Sequence, residues 1–156
     1  MVGGTGNRRK TMNNRTATNN LQLELHVPDF EKVKSYYGAL GFRVVWERAP
    51  EDAKGYLVIQ RDGTTLCFWG GNQAIFEQPY FKQFPKDTTR GYGVELVIMV
   101  DDIAKFYDEV KDNANVVEPL ITQPWGLQDF RATDPFGYYL RFTSKHDILD
   151  ESNAVE

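Results

Sequence analysis

The chain has 156 residues, of which 41% are hydrophobic and 26% charged, and this length favours one compact domain. Its two histidines and single cysteine exclude an intrachain disulfide framework and a Cys/His zinc cluster. No segment approaches the roughly 20 apolar residues of a membrane span, and the N-terminus lacks the apolar stretch of a secretory signal. We therefore expect a cytoplasmic protein that does not enter the membrane.

The charge is unevenly distributed along the chain. Residues 1–20 carry four basic residues and no acidic one, so the other residues contribute a formal −8 to the total of −4. Residues 1–20 are also rich in Asn, Thr and Gly, with little to bury, and we expect a disordered basic leader. Residues 145–156 are expected to form an acidic tail. An acidic body is a poor partner for nucleic acid, because that binding depends on neutralising phosphates.

Residues 21–70 predict the element order βαβββ. Apolar and polar residues alternate from Leu21 to Val27, which indicates a strand with one apolar face. Apolar residues then recur at helical spacing between Asp29, which can cap a helix, and Gly41, which can end one. Three further strands are predicted at 42–47, 55–61 and 64–69, the last two joined by an Asp-Gly hairpin.

Residues 93–144 repeat this pattern with an offset of about 73 residues, so that Val27 corresponds to Val100. The predicted elements are strand 94–100, helix 103–110 and strands 116–122, 127–133 and 138–144. The connecting segment 71–92 has no clear period. It holds four aromatic residues that predict either a loop anchored by its own rings or a lid over a cleft: Phe76, Tyr80, Phe81 and Phe84.

Neither half carries enough apolar residues for a core of its own, so we expect residues 21–144 to form a single domain. Its two modules should build a curved mixed sheet with the helices outside. The apolar strand face should pack on the helices through Leu23, Leu25, Val27, Leu66, Phe68, Leu96, Ile98, Leu140 and Phe142. The opposite face mixes polar and aromatic residues, which suits a ligand cleft: Gln22, Glu24, His26, Cys67, Trp69, Glu95, Val97, Met99, Tyr139, Arg141 and Thr143.

Three stretches of this chain carry a family resemblance. They are LELHVPDFEKVKSYYGALGF (23–42), GVELVIMVDDIAKFYDEV (93–110) and WGLQDFRATDPFGYYLRFT (125–143). In this order and spacing they resemble the glyoxalase, bleomycin-resistance and dioxygenase superfamily, also called vicinal oxygen chelate proteins. The resemblance implies an α+β fold of two βαβββ repeats whose curved sheets form half-barrels.

In the enzymes of that family, side chains from the first and last strands of each half hold a divalent metal. The resemblance places Gln22, Cys67, Glu95 and Arg141 at these positions. Gln22, Glu95 and a Cys67 thiolate have lone pairs to donate, but the Arg141 guanidinium has none and repels a cation. We therefore predict no resident metal or other cofactor; if a metal does bind, its ligands are Gln22, Cys67 and Glu95.

The last predicted strand resembles the bleomycin-resistance branch. That resemblance implies a homodimer that sequesters an aromatic, often cationic, small molecule without turnover and so protects against an antibiotic. The predicted ligand-binding residues are Gln22, Glu24, Trp46, Trp69, Glu95, Met99, Trp125, Tyr139 and Arg141. Glu95 and Arg141 either contact the ligand or pair with each other. No catalytic residue is predicted, but two alternatives stay open: a metal-dependent lyase, isomerase or dioxygenase, and a structural or protein-interaction module.

Overall fold

The computed structural model describes residues 20–51 and 54–150. The predicted basic leader, apart from Asn20, and residues 151–156 of the predicted acidic tail lie outside the described residues. None of the described helices is long and apolar enough to cross a membrane.

Module 1 forms a four-stranded mixed sheet with one helix against it. In chain order its elements are β1 (Glu24–Val27), α1 (Phe30–Ala39), β2 (Arg43–Arg48), β3 (Gly55–Arg61) and β4 (Thr64–Gly70). The strand order is β1-β4-β3-β2, with β1 parallel to β4 and the other neighbours antiparallel. The Asp29 side chain accepts a hydrogen bond from the Lys32 backbone at 3.1 Å and so caps α1 as predicted.

Module 2 repeats the same topology. Its elements are β5 (Glu95–Val100), α2 (Ile103–Val110), β6 (Val116–Thr122), β7 (Gln128–Thr133) and β8 (Tyr139–Ser144). The strand order is β5-β8-β7-β6, again with the first and last strands parallel. The α+β fold of two βαβββ modules predicted from the sequence is therefore confirmed.

The two modules share one hydrophobic core. The predicted helix-facing residues lie in it or, for Leu23 and Leu96, pack against its edge. Tyr37, fully buried on α1, donates its hydroxyl to Asp134 Oδ2 at 2.8 Å, and the neighbouring Tyr36 donates to the Ala114 carbonyl at 2.6 Å. Burial of a large apolar side chain contributes about 1.5–3 kcal/mol. The buried side chains of both modules therefore contribute to one core.

The first strand is shorter than the alternating pattern predicts. It begins at Glu24 rather than Leu21, which is 81% exposed. A strand needs a hydrogen-bonded neighbour. The backbone pairing of this segment with β4 begins at Leu23, whose carbonyl accepts a hydrogen bond from the Cys67 amide. Alternation alone overestimates a strand where its partner ends.

Candidate ligand-binding cleft

A cleft of about 970 Å³ lies between the open face of the module 1 sheet and residues 71–92, here called the aromatic loop. The sheet contributes Glu24, His26 and Trp69, and module 2 contributes Tyr138. This volume is at the upper end of the range typical of small-molecule sites. The aromatic loop supplies the facing wall and its charged rim: Phe76, Glu77, Tyr80, Phe81, Lys82, Phe84, Lys86, Arg90 and Tyr92.

Two glycines at the end of β4 turn the chain back over the sheet. Gly70 and Gly71 have φ values of +99° and +77°, in the left-handed region that favours glycine. A Cβ atom at Gly70 would lie 2.8 Å from the Val27 carbonyl oxygen and would also collide with the buried Ile75 side chain. The aromatic loop continues through two short 3₁₀ helices, Gln73–Glu77 and Phe81–Gln83.

His26 lies between the sheet and the aromatic loop. Its ring centroid is 3.8 Å from that of Trp69, in an edge arrangement, and 5.2 Å from that of Phe81, in a stacked one. Its Nε2 is buried and has no hydrogen-bond partner among the described residues. Burial, and then the positive charge of Arg90, lower the pKa of His26 to about 4, against the opposing effect of a hydrogen bond with the Ile75 backbone. The imidazole is therefore neutral at pH 7.

The backbone carbonyl of His26 connects three parts of the molecule. It accepts a hydrogen bond from the Tyr138 hydroxyl at 2.8 Å and another from Arg90 Nε at 3.2 Å. Because β1 pairs only with β4, its outer edge presents unpaired backbone groups, and these side chains cover that edge. Burial raises the pKa of Tyr138 to about 12, so its phenol stays a hydrogen-bond donor at neutral pH.

Polar groups on the sheet side of the cleft are already engaged with each other. Glu24 Oε1 accepts hydrogen bonds from the Tyr56 hydroxyl at 2.7 Å and from Gln22 Nε2 at 3.0 Å. Gln22 Nε2 also lies 2.6 Å from the Tyr56 hydroxyl. On the loop side, two positively charged side chains lie near one aromatic ring. Lys86 Nζ is 5.3 Å and Arg90 Cζ is 5.7 Å from the centre of the Phe76 ring.

Comparison with known families agrees with this architecture. The family model of the glyoxalase/bleomycin resistance protein/dioxygenase superfamily matches residues 20–142. The chain belongs to this superfamily. A search of curated protein sequences gave no match.

Solved structures of other superfamily members share the fold at low sequence identity. A bleomycin-binding protein complexed with bleomycin is 22% identical, with a TM-score of 0.56 over 83% of this chain and 100% of that one. A bleomycin resistance determinant encoded on the transposon Tn5 is also 22% identical, with a TM-score of 0.57 and the same coverage. A glyoxalase family protein from Enterococcus faecalis is 19% identical, with a TM-score of 0.58 over 82% and 98% of the chains. These likenesses show the fold.

The structure brings some of the predicted site residues to the cleft. Glu24 and Trp69 line it, and Gln22 hydrogen-bonds to Glu24 beside it. Trp46, 51% exposed, lies on β2, where its ring is 6.0 Å from that of Tyr56. The other predicted residues belong to module 2 and do not line the cleft: Glu95, Met99, Trp125, Tyr139 and Arg141.

The predicted pair of Glu95 and Arg141 is wrong. Glu95 Oε1 instead accepts a hydrogen bond from Arg131 Nε at 2.9 Å, and Arg131 Nη1 reaches Glu118 at 2.6 Å. From β7, Arg131 reaches past β8 to Glu95 on β5 and also contacts Glu118 on the neighbouring β6, whereas Arg141 on β8 lies beside Val97 in the parallel ladder. The buried Nε of Arg141 has no hydrogen-bond partner among the described residues.

The residues at the superfamily's metal positions do not fit a divalent metal. At the positions that the resemblance assigns to metal ligands, Glu95 is neutralised by Arg131 and Arg141 has no lone pair to donate, while the bonds of Gln22 to Glu24 and Tyr56 use only its Nε2 atom. Cys67 is buried in the module 1 sheet, apart from the strands that carry Glu95 and Arg141. Within residues 20–51 and 54–150, no three His, Cys, Asp or Glu side chains are grouped closely enough to hold a metal ion.

The sequence placed His26 on the cleft face but not among the ligand-binding residues, and it did not identify Arg90 or Tyr138 as cleft residues. The four aromatic residues of the aromatic loop were the available signal, since they predict either an anchored loop or a lid. The buried side chain that anchors the loop is the aliphatic Ile75 and not one of these rings, while Phe76 and Phe81 line the cleft. His26 could also have been placed beside Trp69 from the parallel register of the first and last strands of module 1.

Proposed function

We propose that this protein binds a small aromatic molecule in the cleft under the aromatic loop and sequesters it without turnover. The observation that carries the proposal is the aromatic lining of the cleft, where Trp69, Phe76 and Phe81 present rings on both walls. Planar ligands gain about 0.5–1.5 kcal/mol from each such ring beyond the effect of burial. One structural neighbour is a bleomycin-binding protein complexed with bleomycin, which supports a ligand-binding role for a protein of this fold.

Binding without turnover is supported by the chemistry of the cleft. The group best placed for acid–base catalysis is His26, and a pKa of about 4 makes it a weak base at neutral pH. Its Nε2 is also covered by neighbouring side chains. The alternative, a metal-dependent lyase, isomerase or dioxygenase, is less well supported because, at the positions that the resemblance assigns to metal ligands, Glu95 is paired with Arg131 and Arg141 is cationic.

A homodimer completes the proposal. Val44 and Trp46 on β2, and Val117 and Ile121 on β6, are exposed apolar residues on the edge strands of the two sheets. A second copy that covers these four residues would remove their apolar surface from water. Light scattering at micromolar concentration tests this assembly, and a monomer would contradict it. We further propose a protective role in the cytoplasm, which a drug-susceptibility assay of an expressing host would test.

The binding proposal is tested by titrating the pure protein with bleomycin and other planar aromatic compounds while Trp fluorescence is recorded. Phe81→Ala removes one wall ring, so we expect about tenfold weaker binding. Phe136→Ala is a control outside the cleft and should leave the dissociation constant unchanged. Recovery of the unaltered compound after incubation tests the absence of turnover. If no compound of the panel changes the Trp fluorescence saturably, the binding proposal is wrong. If a converted product is recovered, the protein is an enzyme.

A further inference from the structure

Three cations on the cleft side of the aromatic loop have no carboxylate partner. Lys82, Lys86 and Arg90 line the cleft, and none of them forms an ion pair within the described ranges. Other described cations do pair, such as Lys145 with Asp101 at 2.7 Å, although Arg141 does not. These three charges are therefore available to a ligand.

Two of the cations converge on one ring. Lys86 Nζ lies 5.3 Å and Arg90 Cζ 5.7 Å from the centre of Phe76. Each gains a cation–π contact, but the arrangement also gathers like charges at one place, where they repel each other. An anion bound between them would remove that repulsion. A half-buried guanidinium is well suited to this role because it can hold a carboxylate with two parallel hydrogen bonds.

The position of Arg90 is fixed while most of its donors remain unused. Its Nε donates to the His26 carbonyl at 3.2 Å, and its two terminal nitrogens have no partner among the described residues. Its charge acts inside the cleft: after burial, it is the second cause of the lowered pKa of His26, and it opposes the rise that burial causes in the pKa of Tyr138. The opposing acid on the sheet side, Glu24, already accepts hydrogen bonds from Tyr56 and Gln22.

We infer that the ligand of the cleft is a planar aromatic anion, whose carboxylate or similar acidic group binds Arg90 and Lys86 while its ring packs against Trp69 and Phe81. This inference rests on the proposed function and adds the charge of the ligand to it. It departs from the cationic ligand that the family resemblance implies. The local positive charge lies on a protein of formal net charge −4, so selection of an anion depends on the cleft and not on the protein's overall field.

A matched set of three probes tests the inference by calorimetry on the full chain: naphthoate, naphthamide and naphthylmethylammonium. They share one ring system and differ in charge. We expect naphthoate to bind about tenfold more tightly than naphthamide, and the ammonium to bind most weakly, because charge-assisted hydrogen bonds form with the anion alone. Added salt should weaken the binding of naphthoate and leave that of naphthamide unchanged.

Two variants locate the effect, and a third controls for it. Arg90→Gln should reduce the preference for naphthoate to about twofold or less, with naphthamide binding unchanged. Lys86→Gln should also reduce the preference for naphthoate. It leaves the contact between Arg90 and His26 in place, so its effect cannot come from a displaced loop. Lys105→Gln, which removes a cation of α2 paired with Glu109, should change nothing.

The outcomes separate this inference from the proposed function. Equal binding of the three probes, tighter binding of the ammonium, or a preference that survives both cleft variants would overturn the inference while leaving aromatic binding intact. If none of the three probes and none of the wider aromatic panel binds, the proposed function fails with it.

Discussion

The two modules share one topology, but their open sheet faces are covered differently. Val27 pairs with Gly70 in module 1, and at the corresponding place in module 2 Val100 pairs with Ser144. After Gly70 the chain folds back over the sheet as the aromatic loop. The corresponding face of module 2 instead carries an ionic network, in which Arg131 contacts Glu95 and two further carboxylates, Glu118 and Asp129.

This difference shows that both repeats provide the same four-stranded sheet, and that the aromatic loop after module 1 forms the cleft. Both faces begin as the mixed polar side of a four-stranded sheet. In module 1 aromatic side chains desolvate that face and leave His26 neutral, whereas in module 2 Arg131 pairs with acidic side chains. Changes at the loop entrance should therefore disturb binding, and changes in the ionic network should disturb stability alone.

The largest expected effect is that of Gly70→Ala. The new Cβ would approach the Val27 carbonyl oxygen and the Ile75 side chain, in a backbone conformation that L side chains rarely adopt. Strain and overpacking each cost about 1–3 kcal/mol, so we expect a loss of about 3 kcal/mol in the free energy of unfolding. Urea denaturation measures the loss, and fluorescence titration should show that ligand binding is abolished. A variant that binds ligand like the wild type would break the assignment of the site to the loop.

Arg131→Met tests the opposite half of the comparison. The Arg131 side chain is only 16% exposed, and its removal leaves Glu95, Glu118 and Asp129 without their shared cation. We expect a loss of about 2 kcal/mol, below the usual cost of breaking a buried pair because Glu118 is half exposed to solvent. Denaturation with urea measures this, and affinity for cleft ligands should stay within twofold.

Arg141→Met is the matched control, since Arg141 lies directly opposite Arg131 in the ladder but has no ion pair among the described residues. Its loss should cost less than about 1 kcal/mol. An effect as large as that of Arg131→Met would reinstate Arg141 as the partner of Glu95.

The sequence predicted the repeat well because each module follows simple periodic patterns. Strand Gly55–Arg61 and helix Ile103–Val110 lie where the patterns place them, since alternation and capping residues are local signals. The cleft was less predictable. It depends on the path of the aromatic loop, which is set by the left-handed conformation of Gly70 and the burial of Ile75, neither of which has a periodic signature. The partner of Glu95 was missed because Arg131 lies on β7, beyond the neighbouring strand β8 that carries Arg141, and only its long side chain brings it to Glu95.

The pH dependence of stability offers a finer comparison, because Met99 occupies the position in module 2 that His26 has in module 1. The charged group facing His26 is Arg90 from the aromatic loop, with the Tyr138 phenol nearby. Unfolded His26 takes up a proton near its ordinary pKa of 6.5, but folded His26 does so only near 4, so protons favour unfolding between these values. The free energy of unfolding should therefore fall by about 1–2 kcal/mol from pH 7 to pH 4, allowing for solvent screening.

Urea denaturation at several pH values measures this fall, and His26→Phe should flatten this part of the profile. His146→Gln, which alters the other histidine, should retain the wild-type profile. A wild-type slope that persists in His26→Phe would assign the effect to carboxylates instead.

The smallest expected effect is that of Gly38→Ala, which tests the effect of backbone conformation at a glycine where a methyl group causes no steric crowding. Gly38 lies in the last turn of α1, where an added Cβ would meet no atom within 4 Å. Gly38→Ala should therefore raise the free energy of unfolding by about 0.5 kcal/mol, because alanine restricts the unfolded chain and favours the helix. A shift of the urea midpoint with an unchanged slope measures this gain. Gly38→Ala and Gly70→Ala add the same methyl group to module 1. If Gly38→Ala raises the free energy of unfolding and Gly70→Ala lowers it, glycine is required at the loop entrance. If both variants change it in the same direction, glycine is not specifically required there.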